Sequence, residues 1–296
     1  MIVFLIKSGP RGLSKLFFLI ELYCIIFFDI LLFLFRNLPL LPQPNHKSQF
    51  LLSDQCFKFL FYKPGALKAF KLGGHGAAFG ASTSTGAGLK YLADNGFAVS
   101  TTVNSKKAAS TGGFLTDEDQ NKINTQVAYT ADNYHLSATY SRQKGWNSWS
   151  YYSTGDANSG TDNINVTSDS IALRGWWRPE ETGSTIPSIS VGYDTMAFEG
   201  RADVSEASGY FVGLNWADMF QPDDKIGIAY GQPIKATEAV DGATLSEVDP
   251  ILWELYYSFR PNDSIEVTPA VFGGNNVKSD NADDIFGAVL TTTFKF

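Results

Sequence analysis

From Gly73 to its last residue the chain keeps a two-residue rhythm. Runs of roughly ten residues alternate large apolar side chains with small or polar ones, and turn residues separate the runs. "KINTQVAYT" puts Ile123, Thr125, Val127 and Tyr129 on one face. "IALRGWWR" sets Ile171, Leu173, Gly175 and Trp177 against Ala172, Arg174, Trp176 and Arg178. "ILWELYYSFR" sets Ile251, Trp253, Leu255, Tyr257 and Phe259 against Leu252, Glu254, Tyr256, Ser258 and Arg260. The chain closes the same way, on "DDIFGAVLTTTFKF". A period of two is a strand period, and it recurs in about eleven segments, so this part is predicted to be all-β. Half-buried strands of a soluble sandwich read the same way, so the strands alone leave sandwich and barrel open.

The connections discriminate better. Working back from Phe296 they run long ("GGNNVKSDNADD"), short ("PNDS"), long ("PIKATEAVDGATLSEVDP"), then shorter ("DMFQPDDK"). Next come "EGRADVSEAS", longer, and "PEETGST", short; "QKGWNSWSYYSTGDANSGTDNINVTS" is the longest and "ADN" the shortest. A sandwich has no reason to sort loops by parity. Outer-membrane barrels do, with short periplasmic turns and longer external loops. With Phe296 periplasmic, Trp177, Trp216, Phe259 and Phe294 end downward strands on the outward face, and Tyr193, Tyr210 and Tyr230 lie toward the opposite rim. Two aromatic belts are what two membrane interfaces select. The expectation is an antiparallel transmembrane β-barrel with about 11–12 visible strands.

Composition divides the chain near residue 72. Residues 1–71 hold nine Lys/Arg against three Asp/Glu, and 72–296 hold fourteen against twenty-seven. The acidic remainder argues against nucleic acid as a partner. Both cysteines, Cys24 and Cys56, fall in the first part, so no disulfide or metal framework is available to the second, and no cofactor is expected. In the first part "LFFLIELYCIIFFDILLFLF" follows Lys7, Arg11 and Lys15 and has the length of a membrane helix, yet contains Glu21 and Asp29. An uncleaved signal anchor, a poor signal peptide and a non-native extension all remain open for residues 1–71, with 72–296 as the barrel.

In a barrel, mid-strand charge belongs inside. Arg174 in lipid would cost roughly 2–4 kcal/mol, so it is predicted to face inward, with Arg178, Glu254, Tyr256, Arg260, Glu266 and Lys295 of the same parity. These residues are the candidate channel lining. They read either as a basic track or as structural pairs, for example with the inward Glu254 or Glu266. Arg142 has outward parity at a strand end, where snorkelling to headgroups is expected. Trp146, Trp149, Tyr151 and Tyr152 open the longest external loop, for sugar stacking or for ordinary loop packing. The loops lack His/Cys/Asp ligand spacing, so no metal site is expected. An enzyme needs a nucleophile and a base. His46, His75 and His135 are the histidines, and His135 with Ser137 on one strand is a poor pair.

"GYFVGLNWADMFQPDDKIGIAYGQP", with Asp218, Phe220, Gly227 and Gly231–Pro233, resembles the cyanobacterial outer-membrane porins often labelled carbohydrate-selective or iron-uptake porins. "ELYYSFRPNDSIEVTPAVF" and the ending "GAVLTTTFKF" are similar to that family's last strands, so the resemblance covers about residues 73–296. It implies a water-filled outer-membrane channel for passive diffusion of small hydrophilic solutes (sugars, ions) and no enzyme. A truncated remnant without transport, or a structural outer-membrane protein, is the alternative. It also implies outer-membrane lipid as surroundings, a homotrimer as the common assembly, and Phe294 with Phe296 as the signal read by barrel-assembly machinery. Family barrels have about sixteen strands behind a peptidoglycan-binding domain. The shorter count here is expected to mean a smaller closed barrel, an extra strand within residues 50–71, or a truncated product.

Overall fold

The structure is a computed structural model and describes residues 49–52, 85–108, 111–114, 116–145, 165–245, 249–275 and 284–294. The hydrophobic segment at 16–35, Cys24, Cys56, the loop aromatics Trp146, Trp149, Tyr151 and Tyr152, and the terminal Lys295 and Phe296 lie outside the described residues. The strands are β1 (Gln49–Leu52), β2 (Thr85–Leu92), β3 (Phe97–Ser105), β4 (Asn121–Thr130), β5 (Tyr134–Lys144) and β6 (Thr167–Trp177). They continue as β7 (Ser188–Glu199), β8 (Val204–Ala217), β9 (Lys225–Ala239), β10 (Ile251–Asn262), β11 (Ile265–Asn275) and β12 (Ile285–Phe294).

All twelve form one sheet in which each strand pairs with the next in sequence. Every pairing is antiparallel, an up-and-down meander with no crossover. The described residues are all-β, as the alternation predicts. The first strand begins at Gln49, at the edge of the window where an extra strand was expected, and pairs with Ala87–Lys90.

The two faces of the sheet are opposite in chemistry. On one face Ile123, Leu136, Ile171, Leu173, Val191, Val212, Ile228, Leu255 and Leu290 are exposed. On the other, Asn124, Gln126, Thr139, Ser141, Gln143, Ser168 and Ser170 are buried. A water-soluble sheet does the reverse. A continuous exposed apolar face of this extent requires an apolar solvent, and the arrangement is that of a membrane barrel, greasy outside and polar within. Trp177, Tyr193, Tyr210, Tyr230 and Phe294 all lie on the exposed face, as their parity demands.

One expectation about connections needs correcting. The β7–β8 connection, expected to be long, is only residues 200–203, while the β6–β7 connection, expected to be short, runs over 178–187. The reason is strand extension. "EGRADVSEAS" is largely taken up by pairing, because β7, β8 and β9 are 12, 14 and 15 residues long and extend their ladder past the register of their neighbours. Register shifts between Val204 and Tyr210 let the β8–β9 pair twist there.

Candidate functional site

The buried face is where a channel's chemistry would sit, and its residues come from strict alternation. Inward positions are Lys122, Asn124, Gln126 and Ala128 on β4, then His135, Ser137, Thr139, Ser141 and Gln143 on β5. On β6 they are Ser168, Ser170, Ala172 and Arg174, and on β10 Leu252, Glu254, Tyr256 and Ser258. Side chains bridge neighbouring strands along this wall. Gln126 Nε2 donates to Thr139 Oγ1 at 2.9 Å, and Thr268 Oγ1 donates to Ser258 Oγ at 2.8 Å.

Arg174 is inward, and its carboxylate partner lies on the next strand. It pairs with Asp194 of β7: Nη2 lies 2.9 Å from Oδ1 and 2.8 Å from Oδ2. The two side chains are 5% and 0% exposed. The register explains the choice. Ala172 is the Cα partner of Asp194 and Arg174 of Gly192, so the two charges are diagonal neighbours on one face. Arg174 Nη1 also donates to the carbonyl of Leu173 at 2.8 Å, and the guanidinium lies 5.4 Å from the Phe211 ring centre. A pair so fully desolvated and joined through both carboxylate oxygens acts as a strut rather than as a free cation.

The aromatic residues of the wall lie flat because glycine lets them. A Cβ on Gly192 would come 2.0 Å from Phe211 Cε1, and one on Gly227 2.0 Å from Tyr256 Cε1. Each ring therefore occupies the place a side chain on the neighbouring strand would take. Asn215 Nδ2 donates to Tyr256 Oη at 2.7 Å, bridging β8 to β10 over Gly227. Sequence reasoning named Tyr256 but missed Asp194, Phe211 and the glycines. Phe211 and Gly192 do share inward parity, and that was the available signal.

The other predicted residues are distributed along β10, β11 and the end of β6. Arg178 donates through Nε and Nη2 to the carbonyl of Asp132, at 3.0 and 2.7 Å, and stands 5.4 Å from the Trp176 ring. Arg260 lies 3.6 Å from both Asp223 and Glu266, and Glu266 also accepts from Ser258 Oγ at 3.1 Å. Glu254 is completely buried. Arg142 is outward, as expected. It reaches Asp169 at 3.0 Å, where Tyr140 Oη also donates at 2.5 Å, so its charge is met by a protein carboxylate at the outer boundary of the apolar band. His135 Nδ1 is 2.8 Å from Thr130 Oγ1, so its bonded neighbour is not Ser137. Among the described residues no group of His, Cys, Asp or Glu is spaced to hold a metal.

Asp224 organises the turn between β8 and β9. Its carboxylate accepts from the backbone N–H groups of Met219, Phe220 and Gln221 at 2.8, 3.0 and 3.1 Å, and from Tyr257 Oη at 3.0 Å. Asp218 and Asp223 in the same turn have φ of 58° and 65°, the left-handed region in which Asp is among the tolerated residues.

No protein-family model matches the chain. An uncharacterized protein of Nostoc sp. is 32% identical over 131 residues, which is 44% of this chain and 22% of that protein, so the chain spans about a fifth of that relative's length. Among solved structures, Pseudomonas putida OprB aligns over 72% of this chain and 59% of its own, at 14% identity and a TM-score of 0.47. Salmonella typhi OmpF aligns over 70% and 61%, at 14% identity and a TM-score of 0.45. The KdgM porin aligns over 72% and 93%, at 12% identity and a TM-score of 0.32.

Proposed function

We propose that the chain forms an outer-membrane channel for passive diffusion of small hydrophilic solutes. The observation that carries this reading is the inversion of the sheet, with hydroxyls, amides and paired charges on the buried face and apolar residues with aromatic belts on the exposed one. Passage would follow gradients, since no group here couples to an energy source. Sugars and ions are the solutes implied by the resemblance to carbohydrate-selective and iron-uptake porins. A homotrimer and recognition of Phe294 and Phe296 by barrel-assembly machinery belong to the same proposal, as do Arg174, Arg178, Glu254, Tyr256, Arg260, Glu266 and Lys295 as lining.

A second reading, an outer-membrane protein without transport, draws support from the near-complete burial of Lys122, Gln126 and Glu254 on the inner face. One experiment separates the two. The full chain is refolded, its folding is checked by a change in gel migration on boiling, and it is placed in phospholipid vesicles. Isotonic solutes of increasing size are then tested for vesicle swelling. A channel is expected to swell vesicles quickly with the smallest solutes and progressively more slowly with larger ones. Folded protein whose vesicles swell no faster than protein-free ones ends the transport reading.

A further inference from the structure

The inner face changes character abruptly at the seam between β6 and β7. Across one row of the wall Thr102, Asn124, Ser141 and Ser170 are successive Cα partners, and the next partners are Met196, Ala207 and Ala236. In the adjacent row Asn104, Lys122, Gln143 and Ser168 run into Phe198. Beyond the seam, Met196, Ala207 and Ile234 form a closed apolar cluster with Phe198 packed against it. Further round, Ala229, Tyr256 and Ala270 form another. The Arg174–Asp194 pair bridges the same seam, its charges compensating each other.

The polar side has a further property. Asn124 Oδ1, Gln126 Oε1 and the hydroxyls of Ser137, Ser141, Ser168 and Ser170 are buried and make no hydrogen bond within the protein. Buried polar atoms without partners are disfavoured, and ordered water is the usual remedy when they are clustered. These six sit on three adjacent strands of one wall, whereas on β7–β9 Met196, Ala207 and Ile234 close the part beside the seam with apolar contacts that neither attract nor require water.

We infer that the path through the protein is off-centre and follows the inner wall of β3–β6, with Asn124, Gln126, Ser141 and Ser170 as the groups that water and solutes touch. The inference deepens the channel reading and rests on it. It moves selectivity away from the charged residues that parity picked out. Apart from Lys122 and the paired Arg174, a solute on this path meets uncharged donors and acceptors, so hydrogen-bonding capacity and size govern its passage more than charge.

Thiol labelling tests this without depending on flux. In the full chain with Cys24 and Cys56 changed to serine, single substitutions Ser141→Cys and Ser170→Cys are compared with Ala207→Cys and Ala229→Cys, using a small water-soluble methanethiosulfonate on protein in vesicles. The serine positions are expected to react at least about tenfold faster, because water on their wall would carry the reagent to the thiol and support the thiolate that reacts, whereas the equally buried alanine positions face apolar contacts. Their modification is also expected to slow solute swelling. Equal rates on both walls, or slow reaction at both serine positions, overturns the inference. Gel migration before and after boiling verifies that each variant is folded, and Ser168→Cys and Met196→Cys replace any that is not. Wild-type vesicles without flux would end the channel reading, while the labelling rates would still report which wall is wet.

Discussion

Replacing Arg174 with glutamine is expected to destabilise the folded protein by about 3–5 kcal/mol, the range for breaking a buried pair from one side. Asp194 would be left as a buried carboxylate that has lost the Nη2 donor lying 2.9 and 2.8 Å from its two oxygens. Asp194→Asn should do comparable damage by stranding the guanidinium. The double replacement Arg174→Met with Asp194→Leu should recover much of the loss, since a hydrophobic substitute of similar volume removes both desolvated charges together. Chemical unfolding in detergent or vesicles measures all three. If Arg174→Gln is neutral, the pair is solvated in the membrane-embedded protein and the strut interpretation fails. The same geometry changes what an Arg174→Glu variant would report. Read from the sequence, that change should invert a channel's ion preference. With Asp194 in contact it places two carboxylates in one buried site, and loss of folding comes first.

The second large effect is expected at Asp224. Its carboxylate accepts three backbone N–H groups and one phenol, and Asp224→Ala leaves those N–H groups at the tip of a tight turn without an acceptor. A loss of about 3 kcal/mol is expected, as hydrogen bonds to a charged group are each worth more than neutral ones. Asp224→Asn should lose less, since the amide oxygen still accepts. Burial by itself would raise the Asp224 pKa, but the bonds from Phe220, Met219, Tyr257 and Gln221 outweigh it and hold the carboxyl below its ordinary value. The sign for stability follows. A depressed folded pKa means that the contribution is fully present above the unfolded value, about 3.9, and is lost as pH falls through the depressed one. Unfolding midpoints measured from pH 6 downward should therefore drop in the wild type and flatten in Asp224→Asn. Parallel curves for the two proteins would show that this turn is not the acid-sensitive clamp.

How much of this was legible in the sequence depends on the physics of each feature. Inward or outward placement was legible for Arg142, Arg174, Tyr193, Trp177 and Tyr256, because alternation in a strand is a local rule that neighbouring strands cannot change. Loop parity was legible only in part. Strand ends are decided by how far a neighbour offers partners, so "EGRADVSEAS" became strand on both sides of a connection at residues 200–203.

Pairing was not legible. Arg174 had Glu254, Glu266 and Asp194 as inward carboxylates of suitable parity, and choosing among them required the register between β6 and β7. The lining inferred from parity was accordingly mostly a list of charges, whereas the structure sets a buried face rich in hydroxyls and amides on β3–β6 beside an apolar cluster on β7–β9. No single strand carries that division, since Ser170 and Met196 meet only across the seam. The sequence by itself determined the secondary structure, the face on which each side chain lies and the apolar exterior, because these depend on the chain's own two-residue period. Only the tertiary structure decided which charges neutralise each other, which rings lie over glycines and where the polar wall ends, because those depend on the register between strands that the period leaves free.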